Sequence, residues 1–539
     1  MSSLAQPLTA SALRRRPARP AGLTLVFVLA LVARAADPAF PVAEATLDDL
    51  QARLAAGTLT SRDLTAAYLA RISQIDHAGP RLRSVIAVNP EALEIAARLD
   101  AERKAGRVRG PLHGIPVLIK DNLDTADRLA TTAGSLALVG HRPPRDAHAV
   151  TLLREAGAVI LGKTNLSEWA NYRGQRSTSG WSARGGQTLN PYALDRNPSG
   201  SSSGSAVAVA ANLCAVAVGT ETNGSILSPA SVCGIVGVKP TVGLVSRAGI
   251  IPISASQDTA GPMTRTVRDA ALLLAALAGA DARDPATQGQ PAALAADLSK
   301  VRADGALRGT RLGVVRGPFG FHPRFEARLD ELVRLLRSAG AEVVDPVKIP
   351  TLAKLSAVQG DLLSFEFKDG LNRYLAEPGR VTPIKTLAEA IAFNEAHRTE
   401  ELLFFGQELF TAAQARGPLT EQAYLDVQAA CRRLARDEGI DAALSADRLD
   451  ALVMLTVGPA APTDPVNGGS SSGYSPSLAA VAGYPSATVP ALQVFGLPVG
   501  LSFVGRAWSD ARLLSLAADF EHAAHARRPP RFLPTVELR

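Results

Sequence analysis

The stretch SGSAVAVAANLCAVAVGTETNGS, Ser203 to Ser225, decides how this chain folds. Its first half, SGSAVAVAANL, reads as a helix, and CAVAVGTET reads as the buried strand that follows it. The same order recurs in AHAVTLLREAG and AVILGKT, between Ala147 and Thr164. GIPVLIKDN, Gly114 to Asn122, reads as another buried strand, ending in a charged turn. Farther on, HPRFEARLDELVRLLRSAGAEVV predicts a helix leading into a strand. ALVMLTV and GLPVGLSFVG are strand-like, and SDARLLSLAADFEHAA predicts a last helix. Such alternation predicts an α/β fold with a largely parallel or mixed central sheet flanked by helices, shared by both halves of one large domain. Near the start, TLDDLQARLAAG carries a capping-box pattern, Thr46 three residues before Asp49, and a Leu47, Leu50, Leu54 stripe. From about Ala353 to Leu444 the pattern is mostly amphipathic helix, a segment expected to help shape the pocket.

Charge narrows the function. The net charge is +7 over 539 residues, but five arginines (Arg14, Arg15, Arg16, Arg19, Arg34) and no acid fall in residues 1–35. The rest is nearly neutral, which argues against nucleic acid as a partner. RRRPAR precedes the apolar run AGLTLVFVLALVA, Ala21 to Ala33, which is shorter than the ~20 residues of a membrane span. An A-x-A site, Ala33 to Ala35, follows. We read residues 1–35 as an export signal and 36–539 as the mature catalytic domain, periplasmic or secreted and without a stable membrane anchor once cut. An uncleaved anchor is the alternative. Cys214, Cys233 and Cys431 form no C-x-x-C, and no metal-binding spacing occurs.

Two motif matches fail on physical grounds. GAVILGKT, Gly157 to Thr164, has the letters of a phosphate-binding loop. Its central Ala-Val-Ile-Leu belongs in a strand rather than in a glycine-rich cradle. Ser202 lies in G-x-S-x-G, but DRNPS before it is no strand, and GSSSG recurs at Gly469 to Gly473.

GTETNGSILSPA, Gly219 to Ala230, has the better context: a buried strand, a tight turn through Asn223 and Gly224, and a short helix after Ser225. Successive N–H groups in such a turn can form a nest for an oxyanion. Ser201 and Ser225 are 24 positions apart. A helix of ~15 Å out and a strand of ~20 Å back can bring them together. No histidine lies between His148 and His322, so a hydroxyl here needs another base. Lys120, ending the apolar GIPVLIK, is the candidate, because burial disfavours its ammonium form. A lysine paired with Asp121 is the competing reading.

Together, PLHGIPVLIKDN, NPSGSSSGSAVAVA, GTETNGSILSPASVCGIVGVKPTVGLVSRAGIIP, QDTAGPM and AVAGYPSATVPA…GLPVGLSFVG resemble the amidase signature family, most of all its bacterial peptide amidases. The resemblance implies a Ser–Ser–Lys triad. Lys120 matches the family's base, Ser201 the bridging serine with a cis peptide bond, and Ser225 the acyl-forming nucleophile. It implies an oxyanion hole of backbone N–H groups from Thr222, Asn223, Gly224 and Ser225, and a substrate-binding Asn171. Many relatives of this subtype carry Asp at the position of Asn223; because the hole uses backbone groups, activity is expected to survive. The implied activity is an exported amidohydrolase that cleaves a small-molecule or peptide carboxamide, including peptide C-terminal amides, through an acyl-enzyme and without metal or organic cofactor. The alternatives are a non-catalytic binding protein on the same fold and a transamidating amidotransferase A-type subunit.

Overall fold

Along the chain, runs of β-branched and small apolar residues become strands wherever both faces can be buried. The computed structural model describes residues 41–317 and 323–537, so the segment read as an export signal lies outside the described residues. Among the described residues, eleven strands build one sheet. In chain order they are β1 Val85–Val88, β2 Pro116–Lys120, β3 Val159–Thr164, β4 Val216–Glu221, β5 Val236–Lys239, β6 Thr259–Thr264, β7 Arg311–Val314, β8 Glu342–Val344, β9 Ala451–Leu455, β10 Ser486–Val494 and β11 Leu497–Val504. Their spatial order is β1-β3-β2-β4-β6-β5-β10-β11-β9-β7-β8. β3, β2 and β4 run parallel, as do β9, β7 and β8; the strands between these two sets are antiparallel. Val42–Arg539 is thus a single large α/β domain flanked by helices, and of the two sheets the alternation allowed, largely parallel or mixed, it has the mixed one.

The parallel trio positions the site. Every residue of β2, β3 and β4 is buried, and β2 and β4 are parallel neighbours with Ile119 opposite Val218, so Lys120 and Glu221 end adjacent strands. The Ser203–Ala210 helix fills the gap between the serine loop and β4. All eight of its residues are buried, which alanine, serine and glycine permit because they let backbones approach closely. Thr46 and Asp49 cap the Leu47–Ala55 helix reciprocally, as read from the sequence. The 353–444 region is helical, but its longest element, Leu352–Leu375, is more than a cover. Leu355, Leu362 and Phe365 enter one apolar cluster with Leu452 and Met454 of β9. Phe367, Leu371 and Leu375 enter another with Trp169 and Tyr172.

β1 and β7 carry too little pattern to be read as strands, four residues each. β1 pairs antiparallel along the outer side of β3. The lookalike GAVILGKT resolves accordingly. Gly157 turns at φ +80°, Val159–Thr164 is strand, and the Lys163 amine is buried, donating to the Leu123 carbonyl at 2.6 Å and the Thr131 hydroxyl at 2.9 Å. Gly162 is glycine because β1 crowds it: a Cβ there would sit 2.3 Å from the Ala87 carbonyl oxygen. Gly162→Ala should therefore destabilise the fold by ~1–3 kcal/mol through overpacking, read as a lowered urea midpoint; an unchanged midpoint would mean that β1 yields freely.

Candidate active site

β2 delivers Lys120 into a space made of hydroxyls and a carbonyl. Its Nζ lies 2.7 Å from Ser201 Oγ, 3.1 Å from Ser202 Oγ, 2.9 Å from Thr220 Oγ1 and 3.2 Å from the Thr220 carbonyl oxygen. The side chain is fully buried, and no carboxylate pairs with it among the described residues. Asp121 turns away, accepting from the Thr132 hydroxyl and pairing with Arg184 at 3.3 Å. Desolvation therefore dominates and pulls the Lys120 pKa from 10.5 down to about 7, against the smaller upward pull of Asp258 and Glu221.

The serine loop is tied down on both sides. The Gly200–Ser201 peptide is cis, as the resemblance implied. Ser202 Oγ accepts from the Thr220 N–H at 3.1 Å and is within 3.0 Å of the Thr220 carbonyl, which fastens the loop to β4. The Ser202 N–H donates to the Ser225 carbonyl at 3.0 Å, which lays the Ser201–Ser202 peptide against Ser225. Ser203 Oγ donates to the Ser199 carbonyl. Ser202 and Ser203 are thus loop-building neighbours, and Ser201 is buried beside Lys120.

β4 ends at Glu221, and the turn Thr222–Ser225 leads towards the Leu227–Val232 helix. Glu221 staples this turn, with Oε2 accepting from the N–H groups of Ile226 (2.8 Å) and Leu227 (3.0 Å). Burial raises its pKa, opposed by those donors, by Lys239 and by the Gly224 N–H. Gly224 sits at φ +74°, and a Cβ there would collide with the Tyr474 hydroxyl at 1.8 Å. The backbone N–H groups of Thr222, Asn223 and Ser225 donate to nothing among the described residues. Of the four donors the resemblance implied, these three are therefore uncommitted, while the Gly224 N–H lies close enough to Glu221 to favour its carboxylate form.

Groups beyond the sequence reading hold this turn. Gln257 Nε2 donates to the Thr222 carbonyl at 2.9 Å, and the Thr222 hydroxyl donates to Asp258. Desolvation lifts Asp258 to a pKa of about 6. The Tyr474 hydroxyl donates to the Asn223 carbonyl at 2.6 Å, while Asn223 Nδ2 donates to Gln359 Oε1 (2.9 Å) and Ser477 Oγ (3.1 Å). QDTAGPM contained the first pair as a motif; Gln359, Tyr474 and Ser477 carried no local signal.

Ser225 opens onto a cleft of about 510 Å3 whose lining includes Asn171, Ser177, Ser199, Asn223 and Tyr474. None of its described lining residues carries a formal charge. Gly200 lines it too, whereas Ser201 and Lys120 lie behind it. Asn171 closes a left-handed run with Trp169 and Ala170 (φ +70°, +50°, +53°), and its Oδ1 accepts from Ser177 at 2.7 Å. No group of metal-ligating side chains occurs among the described residues, and all three cysteines are buried and unpaired.

If burial sets the state of Lys120, folding should release a proton from it between pH 7 and 10.5. The unfolded chain then binds one proton more than the folded one, so stability rises with pH in that window. The unfolding free energy of the wild type minus that of Lys120→Met should climb by roughly 1.4 kcal/mol per pH unit there. Urea titrations at pH 7, 8 and 9 measure it, and a flat difference would contradict the lowered pKa.

The amidase family model matches residues 63–514. The chain is 54% identical to the native peptide amidase of Stenotrophomonas maltophilia, with a TM-score of 0.87 over 92% of this chain and 99% of that one. It is 42% identical over 504 residues to a probable amidase of Arabidopsis thaliana, covering 92% of this chain and 93% of the relative. It is also 35% identical to the A-type subunit of the glutamyl-tRNA(Gln) amidotransferase from Halorhodospira halophila, over 90% of this chain and 99% of the relative.

Proposed function

This chain belongs to the amidase family and is an amide-hydrolysing enzyme; on that premise we propose that it is an exported serine amidohydrolase, acting through Ser225, Ser201 and Lys120, whose substrates include peptide C-terminal amides. The observation that carries the reading is the 2.7 Å contact between a buried, carboxylate-free lysine amine and Ser201, on the loop that rests against Ser225.

In the proposed reaction, neutral Lys120 takes the proton of Ser201 as Ser201 takes that of Ser225. Ser225 Oγ bonds to the amide carbon, and the carbonyl π electrons move onto oxygen. The uncommitted N–H groups of Thr222, Asn223 and Ser225, with that of Gly224 alongside, receive the oxyanion. As the tetrahedral intermediate collapses, the C–N bond breaks. The proton returns from Lys120 through Ser201 to the departing nitrogen, which leaves as ammonia or an amine. Water, deprotonated by the same pair, then splits the ester. No step calls for a cofactor.

The uncharged, hydroxyl-rich cleft favours a neutral chain with amide groups, and its likeness to a peptide amidase points the same way. Asn171 suits a substrate amide, since Ser177 occupies its Oδ1 and leaves Nδ2 for a carbonyl. Export rests on the Arg-rich, apolar, A-x-A start of the chain. The likeness to an amidotransferase component favours a second reading, a transamidating subunit. That role needs partner subunits and tRNA, which a periplasmic or secreted protein does not meet.

A fluorophosphonate probe should label the wild type at Ser225, and the isolated chain should release ammonia from peptide amides. Ser225→Ala should abolish both, and folded Lys120→Ala should lose more than ~10³-fold in kcat. Below about pH 7, kcat/KM should fall tenfold per unit as Lys120 becomes protonated. Labelling that persists in Ser225→Ala, or full activity in folded Lys120→Ala, would overturn the relay; ammonia release only with added partner subunits would favour the transamidating reading.

A further inference from the structure

The Leu352–Leu375 helix touches the catalytic segments at three places, with side chains seven and eight positions apart: Gln359, Glu366 and Tyr374. At ~100° per residue these fall within roughly 80° of one another, on one face. Tyr374 donates to Asp124 at 2.6 Å, four residues beyond Lys120. Glu366 accepts from the Ser254 hydroxyl, the Ser256 hydroxyl and the Ser256 N–H. That loop leads into Gln257 and Asp258, which hold Thr222 by its carbonyl and hydroxyl. Gln359 Oε1 accepts from Asn223 Nδ2 at 2.9 Å.

We propose that this helix braces the turn that receives the oxyanion, and that Gln359 is a positioning residue acting through Asn223. The inference rests on the amidohydrolase reading above. Gln359 lies outside the cleft lining and is buried, so it acts on the reaction only through what it holds. Its Nε2 is buried without a hydrogen-bond partner. An amide kept at that cost contributes little to stability, and its one side-chain hydrogen bond among the described residues is with Asn223. Tyr474 and Ser477 hold Asn223 from the other side. The Asn223 backbone, and with it an uncommitted N–H, is thus fixed between the sheet body and the insert. A shift of a fraction of an ångström in that donor weakens its aim at the developing charge without altering substrate affinity.

The test is steady-state hydrolysis of an N-acetyl dipeptide amide, together with the rate of fluorophosphonate labelling. Gln359→Leu should lower kcat and the labelling rate about tenfold, leave KM within about twofold and keep or raise the thermal midpoint. Gln359→Glu retains the acceptor and should stay within about threefold of wild type. Combining Gln359→Leu with Asn223→Ala should be no worse than Asn223→Ala alone, because both break the same contact. Wild-type kcat in folded Gln359→Leu, additive losses in the double variant, or equal losses in Gln359→Glu and Gln359→Leu would overturn the brace. A wild type that neither hydrolyses the amide nor labels would instead remove the reading of Ser225 on which the brace rests.

Discussion

A lysine amine buried at the end of a parallel strand, with no carboxylate among the described residues in ion-pair reach, is the constraint around which the rest of this site is arranged. Charged, such a group would cost several kcal/mol of desolvation. Neutral, it needs only hydroxyls and a carbonyl, and those are what Ser201, Ser202 and Thr220 provide. The nearby acids are all occupied elsewhere: Asp121 with Thr132 and Arg184, Glu221 with the N–H groups of Ile226 and Leu227, Asp258 with Thr222, Ile253 and Ser254. Glu221 and Asp258 still pull the Lys120 pKa upward through space, so it settles at about 7. That is the range in which a base is both free to accept a proton and strong enough to take one.

Two kinds of element divide the work. The parallel strands carry Lys120 and the start of the turn, and they are rigid because both of their faces are buried. The loops that supply Ser201 and Thr222–Ser225 are not regular, and each is held by side-chain hydrogen bonds instead. Ser202 ties one to β4, and Glu221, Gln257, Tyr474 and Gln359 tie the other. A reactive hydroxyl has to stand at a surface that substrate can reach, so it cannot itself be locked into a ladder. Its precision has to come from the groups around it.

Most of this was legible wherever the signal was local. GIPVLIK reads as a strand ending in a lysine, and Asn223-Gly224 as a turn between strand and helix, because burial and backbone conformation are written in adjacent residues. The family resemblance supplied the pairing of Ser201 with Lys120, which lie 81 positions apart. Much of what stayed hidden lies at long range or is short, but β5, β6 and the nine-residue β10 also went unread as strands, although their residues lie within or beside the family motifs. Tyr474 and Gln359 reach Asn223 from 251 and 136 positions away, and each sits among residues with an ordinary helix or loop pattern. The strands Val85–Val88 and Arg311–Val314 are four residues long, too few to set a period. Gly162 is informative only once β1 is known to press on it.

Burial alone does not single out Lys120 as the proposed base, because Lys163 and Lys239 are fully buried too and burial lowers both their pKa values. Their partners differ. Lys163 lies near Asp121, Asp124 and Asp127 and donates to a carbonyl and to Thr131. Lys239 is held near pH 8 beside Glu221 and Asp510, and donates to the Pro240 carbonyl. A carbonyl can accept a hydrogen bond but has no proton to hand over, and a neighbouring carboxylate favours the charged amine. Lys120 also feels Glu221 and Asp258, and Lys163 also meets a hydroxyl, so the difference is where the partner hydroxyl sits: Ser201 can both give and accept a proton, and in the proposed reaction it passes one from Ser225 to Lys120. Among these three buried lysines, only Lys120 has such a partner on the loop that rests against a cleft-facing serine.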